Sequence, residues 1–215
     1  MCASVGDAFG ALRIEYKVLI DQFNIQLDES TTAIHQLHQL GFSPSLLTDI
    51  ILTHGDFDHA GGLADFTKAT VHLSQEEYET IARRGSRYLQ SQFSHNPRFI
   101  TYKSNTLTWN ELPAREIYRS EAIQIVMIPL FGHTHGHCGV AIQHEDKWLL
   151  YAGDAFYLDR EMHEDGHPVT SKSEVAAEDN AARIKSFNSL KNLKHNFPLL
   201  QIYPYHDINT FQFLN

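Results

Sequence analysis

The chain has 215 residues, 42% of them hydrophobic and 11% aromatic, which is enough apolar material for one well-buried domain over residues 1–215. Its formal net charge of -9 argues against a nucleic-acid-binding surface, which would need a basic patch. Only two cysteines occur, too few for a disulfide scaffold, and the sequence has neither a membrane-length apolar run nor a secretory leader, so we expect a cytoplasmic protein.

The first half of the chain predicts strands and helices in alternation. Residues 11–20 alternate and then become solidly apolar, which predicts one or two strands. A short helix is predicted over residues 30–40, with Gly41 as its stop signal. Ser74 is a predicted cap for a second helix. Apolar runs predict buried strands at residues 50–53 and 69–73.

The second half predicts more strands and one long helix. Ser171 to Glu174 has the pattern of a capping box, and the helix after it would carry Phe187 and Leu190 on its apolar face. Because strands and helices are mixed along both halves, we expect sheets covered by helices, an α+β arrangement. The strands are predicted at residues 99–102, 114–118, 123–129, 139–143, 148–151 and 199–203.

The run from Thr53 to His59 carries the strongest functional signal. It places His54, Asp56, Asp58 and His59 within six residues, directly after a predicted strand. Two imidazoles and two carboxylates this close would repel each other or shift their pKa values unless a cation held them. The run therefore predicts a metal site.

Three later groups of polar residues also follow apolar runs. They contain His133 in the segment Gly132 to His137, Asp154 after Gly153, and His206 before Asp207. Each group is predicted at the carboxyl end of a strand, and one edge of strand ends is where open-sheet proteins place their sites.

Together these groups resemble the metallo-β-lactamase-fold superfamily, with its H-x-H-x-D-H run, its G-H-T-x-G-H segment, a later aspartate and a final histidine. The segment from His133 to His137 is most similar to that of glyoxalase II-like thioesterases and lactonases. The resemblance implies an αββα sandwich of two mixed β-sheets flanked by helices. Because few residues precede the predicted strand at Val18 to Ile20, we expect the amino-terminal part of this fold to be shortened. It also implies two metal sites, one formed by His54, Asp56 and His133, the other by Asp58, His59 and His206, with Asp154 bridging them.

Asp56 departs from the family pattern, because a histidine is usual at its position. An aspartate adds a negative charge and a harder oxygen ligand, which moves metal preference from zinc towards iron or manganese. The alternative is that Asp56 does not ligate and the first metal site is weak. Two divalent ions, zinc first and iron or manganese as alternatives, are the expected cofactors.

The expected function is a metal-dependent hydrolase that acts on a small molecule, using a metal-bridging hydroxide on an ester-like bond such as a thioester or lactone. Asp58 is the candidate catalytic residue, which would orient the hydroxide and pass its proton on. The alternatives are a non-haem iron redox enzyme acting on oxygen, nitric oxide or persulfides, and a non-catalytic metal-binding module. Residues expected to support a ligand or touch substrate are His137, Tyr157 and Tyr205. Arg83, Arg84 and Arg87 form a basic cluster, either an anion-binding site or a solvated helix end.

Overall fold

The computed structural model describes residues 28–83, 85 and 87–211. The strands predicted at residues 11–20 lie outside this part of the chain. Among the described helices, none is long and apolar enough to cross a membrane. The described chain divides into two compact units, residues 28–72 with 81–100, and residues 73–80 with 101–211.

The first unit contains a small sheet of three strands in the order β1-β2-β3. β1 pairs in parallel with β2, with Ile50 opposite Val71. The first helix ends as predicted before Gly41, which has a left-handed φ of 82°. The elements are α1 (Ala33–Gln39), β1 (Asp49–Ile51), α2 (Phe57–Ala60), β2 (Thr70–Ser74), α3 (Gln75–Ala82) and β3 (Arg98–Tyr102). Of these, β2, α3 and β3 include residues that belong to the second unit.

The second unit contains a mixed sheet of six strands in sequence order. The last pair, β8 and β9, is parallel, and the pairs before it are antiparallel. The elements are β4 (Leu107–Trp109), β5 (Leu112–Arg119), β6 (Ile123–Pro129), β7 (Cys138–His144), β8 (Lys147–Gly153), α4 (Val169–Ala176), α5 (Asn180–Asn196), β9 (Gln201–Pro204) and α6 (Ile208–Phe211).

The core of the second unit lies between one face of this sheet and α5. Val126 and Ile128 alternate along β6 and are fully buried, as is Leu150 of β8. Leu190 and Leu193 of α5 belong to the same buried cluster. The helix therefore covers the sheet, as the mixed order of elements predicts.

The α+β prediction with two sheets and flanking helices is confirmed. One local prediction is wrong, and one strand was not predicted. The capping box at Ser171 to Glu174 lies inside α4, and α5 is instead capped by Asp179, whose carboxylate accepts the Ala182 N–H at 3.0 Å. The short strand β4 was not predicted. The single-domain organisation over residues 1–215 stays a prediction.

Candidate metal centre

The polar run of the first unit is a tight turn between β1 and α2. The strand's pairing extends to Leu52, whose N–H donates to the His72 carbonyl. The Asp56 carbonyl then accepts the N–H groups of His59 and Ala60, which closes the first turn of α2. The four candidate ligands of this run are thus held on one short, hydrogen-bonded segment.

The donor atoms of the run lie close to one another. His54 is fully buried, and its Nδ1 lies 3.1 Å from the Thr53 hydroxyl, so Nε2 is the nitrogen that faces Asp56 Oδ2, at 3.4 Å. The His54 and His59 rings have centroids 4.0 Å apart. Asp58 Oδ2 lies 3.7 Å from His59 Nε2. The structure therefore brings these four side chains together.

Asp56 forms an ion pair with Arg87, a contact that the sequence did not predict. Arg87 donates through Nε to Oδ1 at 2.7 Å and through Nη2 to Oδ2 at 2.6 Å, a bidentate ion pair. The basic cluster was interpreted as an anion-binding site or a solvated helix end, but Arg87 in fact binds the run itself. No motif signals this contact, because the two residues are 31 positions apart.

The candidate ligands of the second unit follow the ends of β6, β8 and β9. These three strands run in the same direction, because β7 is antiparallel to both β6 and β8, and β9 is parallel to β8. His133, Asp154 and His206 therefore lie at one edge of the sheet. Asp154 Oδ2 is 3.5 Å from His133 Nε2 and 3.1 Å from His206 Nε2.

His137 holds the backbone of Asp154. Its fully buried ring lies with Nδ1 2.9 Å from the Leu130 carbonyl, which requires an Nδ1–H donor, and Nε2 accepts the Asp154 N–H at 2.9 Å. Both ring nitrogens are engaged, which supports a positioning role for this histidine.

The loop that carries His133 packs against α3. Thr134 donates its hydroxyl to the buried Glu77 carboxylate at 2.6 Å. Gly136 allows the loop to approach, because a Cβ there would lie 2.0 Å from the Glu77 nitrogen. Ser74 caps the helix as predicted, accepting the Glu77 N–H, and also donates to the Gly136 carbonyl.

Two tyrosines flank the second group of ligands. The Tyr157 ring lies 4.8 Å from the His206 ring and 6.2 Å from the His133 ring, while Tyr205 lies 4.9 Å from His206. Buried Glu161 fixes the loop of Tyr157 by accepting its N–H at 2.7 Å. Sequence reasoning missed Glu161, since nothing marks an isolated glutamate in a loop as buried.

The donor spacing in each unit fits a bound divalent cation. Two ligand atoms at about 2.0–2.1 Å from one tetrahedral ion lie roughly 3.3 Å apart. The separations from His54 to Asp56, from His133 to Asp154 and from His206 to Asp154 are 3.4, 3.5 and 3.1 Å. Imidazole nitrogen and carboxylate oxygen are also ligands that zinc, iron and manganese take.

An apolar groove of about 410 Å³ adjoins the run in the first unit. His59 lies on its wall, and the other walls are largely aliphatic or aromatic. They include Leu37, Leu40, Ile50, Leu63 and Phe66.

Comparison with known proteins connects these residues to one family. The family model for the metallo-beta-lactamase superfamily matches residues 19–197. A probable metallo-hydrolase of Mycobacterium tuberculosis is 35% identical over 134 residues, which are 60% of this chain and 43% of that protein. An N-acyl homoserine lactonase of Bacillus thuringiensis is 27% identical over 161 residues, 74% of this chain and 58% of that protein. The chain thus spans about half the length of these curated relatives.

Solved structures agree on the fold. An N-acyl homoserine lactone hydrolase, with the product N-hexanoyl-L-homoserine at its catalytic metal centre, superposes with a TM-score of 0.66 at 22% identity, over 87% of this chain and 66% of that chain. The dizinc quorum-quenching lactonase AidC gives a TM-score of 0.59 at 20% identity, over 84% of this chain and 65% of that chain. These likenesses confirm the predicted fold class.

Proposed function

Because the chain belongs to the metallo-β-lactamase superfamily, we propose that it is a metal-dependent hydrolase that cleaves the ester-like bond of a lactone or a thioester. The main support is the donor spacing of the two ligand groups, three contacts between 3.1 and 3.5 Å that match neighbouring ligands of one ion. The proposal is also supported by the relatives, which are named as a probable metallo-hydrolase and as N-acyl homoserine lactonases.

We propose two divalent cations as cofactors, with zinc first and iron or manganese as alternatives because Asp56 adds a hard oxygen ligand. When bound, such a pair supplies hydroxide at neutral pH and polarises the carbonyl oxygen of the substrate. One ion would be held by His54, Asp56 and His133, the other by Asp58, His59 and His206, and Asp154 would be shared.

Asp58 is the proposed proton carrier. Its carboxylate is 12% exposed and lies in the first turn of α2, so it is sheltered without being fully buried. In hydrolysis it would accept the proton of the attacking water and deliver it to the leaving oxygen or sulfur. Tyr157, beside two candidate ligands, would donate its hydroxyl hydrogen bond to the developing oxyanion.

The substrate we propose is a small molecule with an apolar acyl part. The groove beside His59 supports this, since its aliphatic and aromatic walls favour an alkyl chain over a charged group. Tyr205 would shield His206 from solvent in the same reaction. The cytoplasmic location expected from the sequence stays a prediction.

A substrate panel tests the function directly. Metal-loaded protein would be offered N-acyl homoserine lactones, acyl thioesters and a phosphodiester, and acid or thiol release would be followed. We expect hydrolysis of a lactone or thioester, and a loss of about 100-fold or more in Asp58→Asn when rates are compared at equal bound metal, because general acid–base catalysis contributes that much. Asp146→Asn, on the exposed β7–β8 turn, is the matched control and should keep full activity.

Absence of hydrolysis across the whole panel by protein with two bound metals would reject the proposal. Equal rates for wild type and Asp58→Asn would reject the role of Asp58 while leaving hydrolysis in place.

A further inference from the structure

Arg87 forms a bidentate ion pair with Asp56, one of the candidate ligands. Both carboxylate oxygens accept from the guanidinium, at 2.6 and 2.7 Å. The side chains are 22% and 15% exposed, so water screens the pair only in part. A pair at this distance places a full positive charge directly beside the carboxylate.

Oδ2 of Asp56 faces two groups at once. It accepts from Arg87 Nη2 at 2.6 Å and lies 3.4 Å from His54 Nε2. A carboxylate oxygen has two lone-pair directions, so one can accept from arginine while the other faces a cation beside His54. The contact to Arg87 is therefore compatible with Asp56 as a ligand.

The charge of Arg87 cancels the charge that Asp56 introduces. Where the family pattern has a neutral histidine, this chain has a carboxylate, and the guanidinium restores neutrality at that position. We propose that Arg87 is a positioning residue for metal binding, and that the Asp56–Arg87 pair acts as one neutral ligand in place of a histidine. This inference rests on the proposed metal-dependent function.

The pair predicts a specific failure when only one member is changed. In Asp56→His, the positive charge of Arg87 would stand beside the metal without the carboxylate that offsets it, and like charge disfavours the cation. Removing that charge as well, in Asp56→His/Arg87→Gln, would recreate a neutral histidine site. Arg87→Lys keeps both the charge and Asp56.

The test measures the affinity of metal-free protein for Zn²⁺ by competition with a chromophoric chelator. We expect Asp56→His to bind about tenfold more weakly or worse, which is the size of effect that groups behind a ligand have. Asp56→His/Arg87→Gln and Arg87→Lys should both lie within about threefold of wild type. Asp56→His/Arg98→Gln is the matched control, since Arg98 contacts Thr70 instead, and it should not recover affinity.

Each outcome decides one idea. Wild-type protein that binds none of Zn²⁺, Fe²⁺ and Mn²⁺ would overturn the proposed function itself. Wild type that binds Zn²⁺ while Asp56→His binds equally well would overturn the role of Arg87 alone, as would failure of the double variant to recover or recovery by the Arg98 control. If Asp56→His does not fold by circular dichroism, Arg87→Lys decides, because a tenfold loss there would show that charge is not what Arg87 supplies.

Discussion

His135 and His137 stand two positions apart, yet their surroundings differ completely. The side chain of His135 is 60% exposed, and its Nε2 lies 3.8 Å from a Glu178 oxygen. His137 is fully buried and joins the Leu130 carbonyl to the Asp154 N–H. Both residues precede β7, and the turn at His135 and Gly136 places one side chain at the surface and the other in the core.

Replacing His137 with alanine should therefore be costly. The Asp154 N–H and the Leu130 carbonyl would lose their buried partner, and we expect the free energy of unfolding to fall by about 2–4 kcal/mol. Urea denaturation of metal-free protein measures this. His135→Ala is the control, expected to change stability by roughly 0.5 kcal/mol or less; equal losses in both variants would contradict the account.

Cys138 should be chemically inert in the folded protein. Burial raises the pKa of its thiol from 9.0 to about 12, so the reactive thiolate is scarce. In a Cys2→Ser background, iodoacetamide at about pH 8 should label Cys138 only after denaturation. Rapid labelling of native protein would show that the thiol is accessible.

The raised pKa of Cys138 also makes the free energy of unfolding depend on pH. Because the folded value exceeds the unfolded one, the contribution is present below about pH 9 and is lost as the pH rises towards 12. Cys138→Ala should accordingly show a shallower alkaline loss of unfolding free energy than the parent.

The Asp56–Arg87 contact marks the limit of sequence reasoning at single residues. The run from His54 to His59 could be predicted because its ligands are contiguous and lie after a strand. Arg87 could not, since its reach depends on the path of a loop that no periodicity specifies.

At the level of elements, the loop after β8 depends on one buried carboxylate. Glu161 Oε1 accepts the N–H groups of Tyr157 and Leu158, and Oε2 accepts the Thr170 hydroxyl at 2.8 Å. The loop that presents Tyr157 is thus tied to the start of α4.

Glu161→Ala should loosen this loop selectively. We expect faster amide exchange at Tyr157 and Leu158, and a loss of about 2–4 kcal/mol in stability, because two buried N–H groups lose their acceptor. Hydrogen–deuterium exchange by mass spectrometry would locate the change. Glu164→Ala, at an exposed position nearby, should leave exchange unaltered; unchanged exchange in Glu161→Ala would contradict the role of Glu161.

The elements were predicted to different degrees for identifiable reasons. The strand over residues 123–129 was predicted with its observed bounds because its apolar residues follow the polar pair Ser120 and Glu121 and end at Pro129. β4 escaped prediction because it has three residues, and its turn uses Asn110 and Glu111 at positive φ where a glycine would have given the signal. The cap of α5 was misplaced because Asp179 and Ser171 both precede helical runs.

At the scale of the whole molecule, the strand and helix order was sufficient to predict the fold class, while the division into two compact units was not visible in composition. Four candidate ligands belong to the first unit and three to the second. The net charge of -9 adds to the reasons for cation binding, because clustered carboxylates repel each other without one. Metal binding should therefore contribute to folding stability as well as to catalysis.

The central proposal is that the candidate ligands hold two metal ions, and metal stoichiometry tests it most directly. Metal-free wild type, His59→Ala and His206→Ala would be reconstituted with Zn²⁺, desalted and analysed by native mass spectrometry, with exposed His163→Ala as the control. We predict two zinc ions per chain for wild type and the control, and at most one for each ligand variant. Wild type without bound zinc, or two ions retained in both ligand variants, would contradict the account.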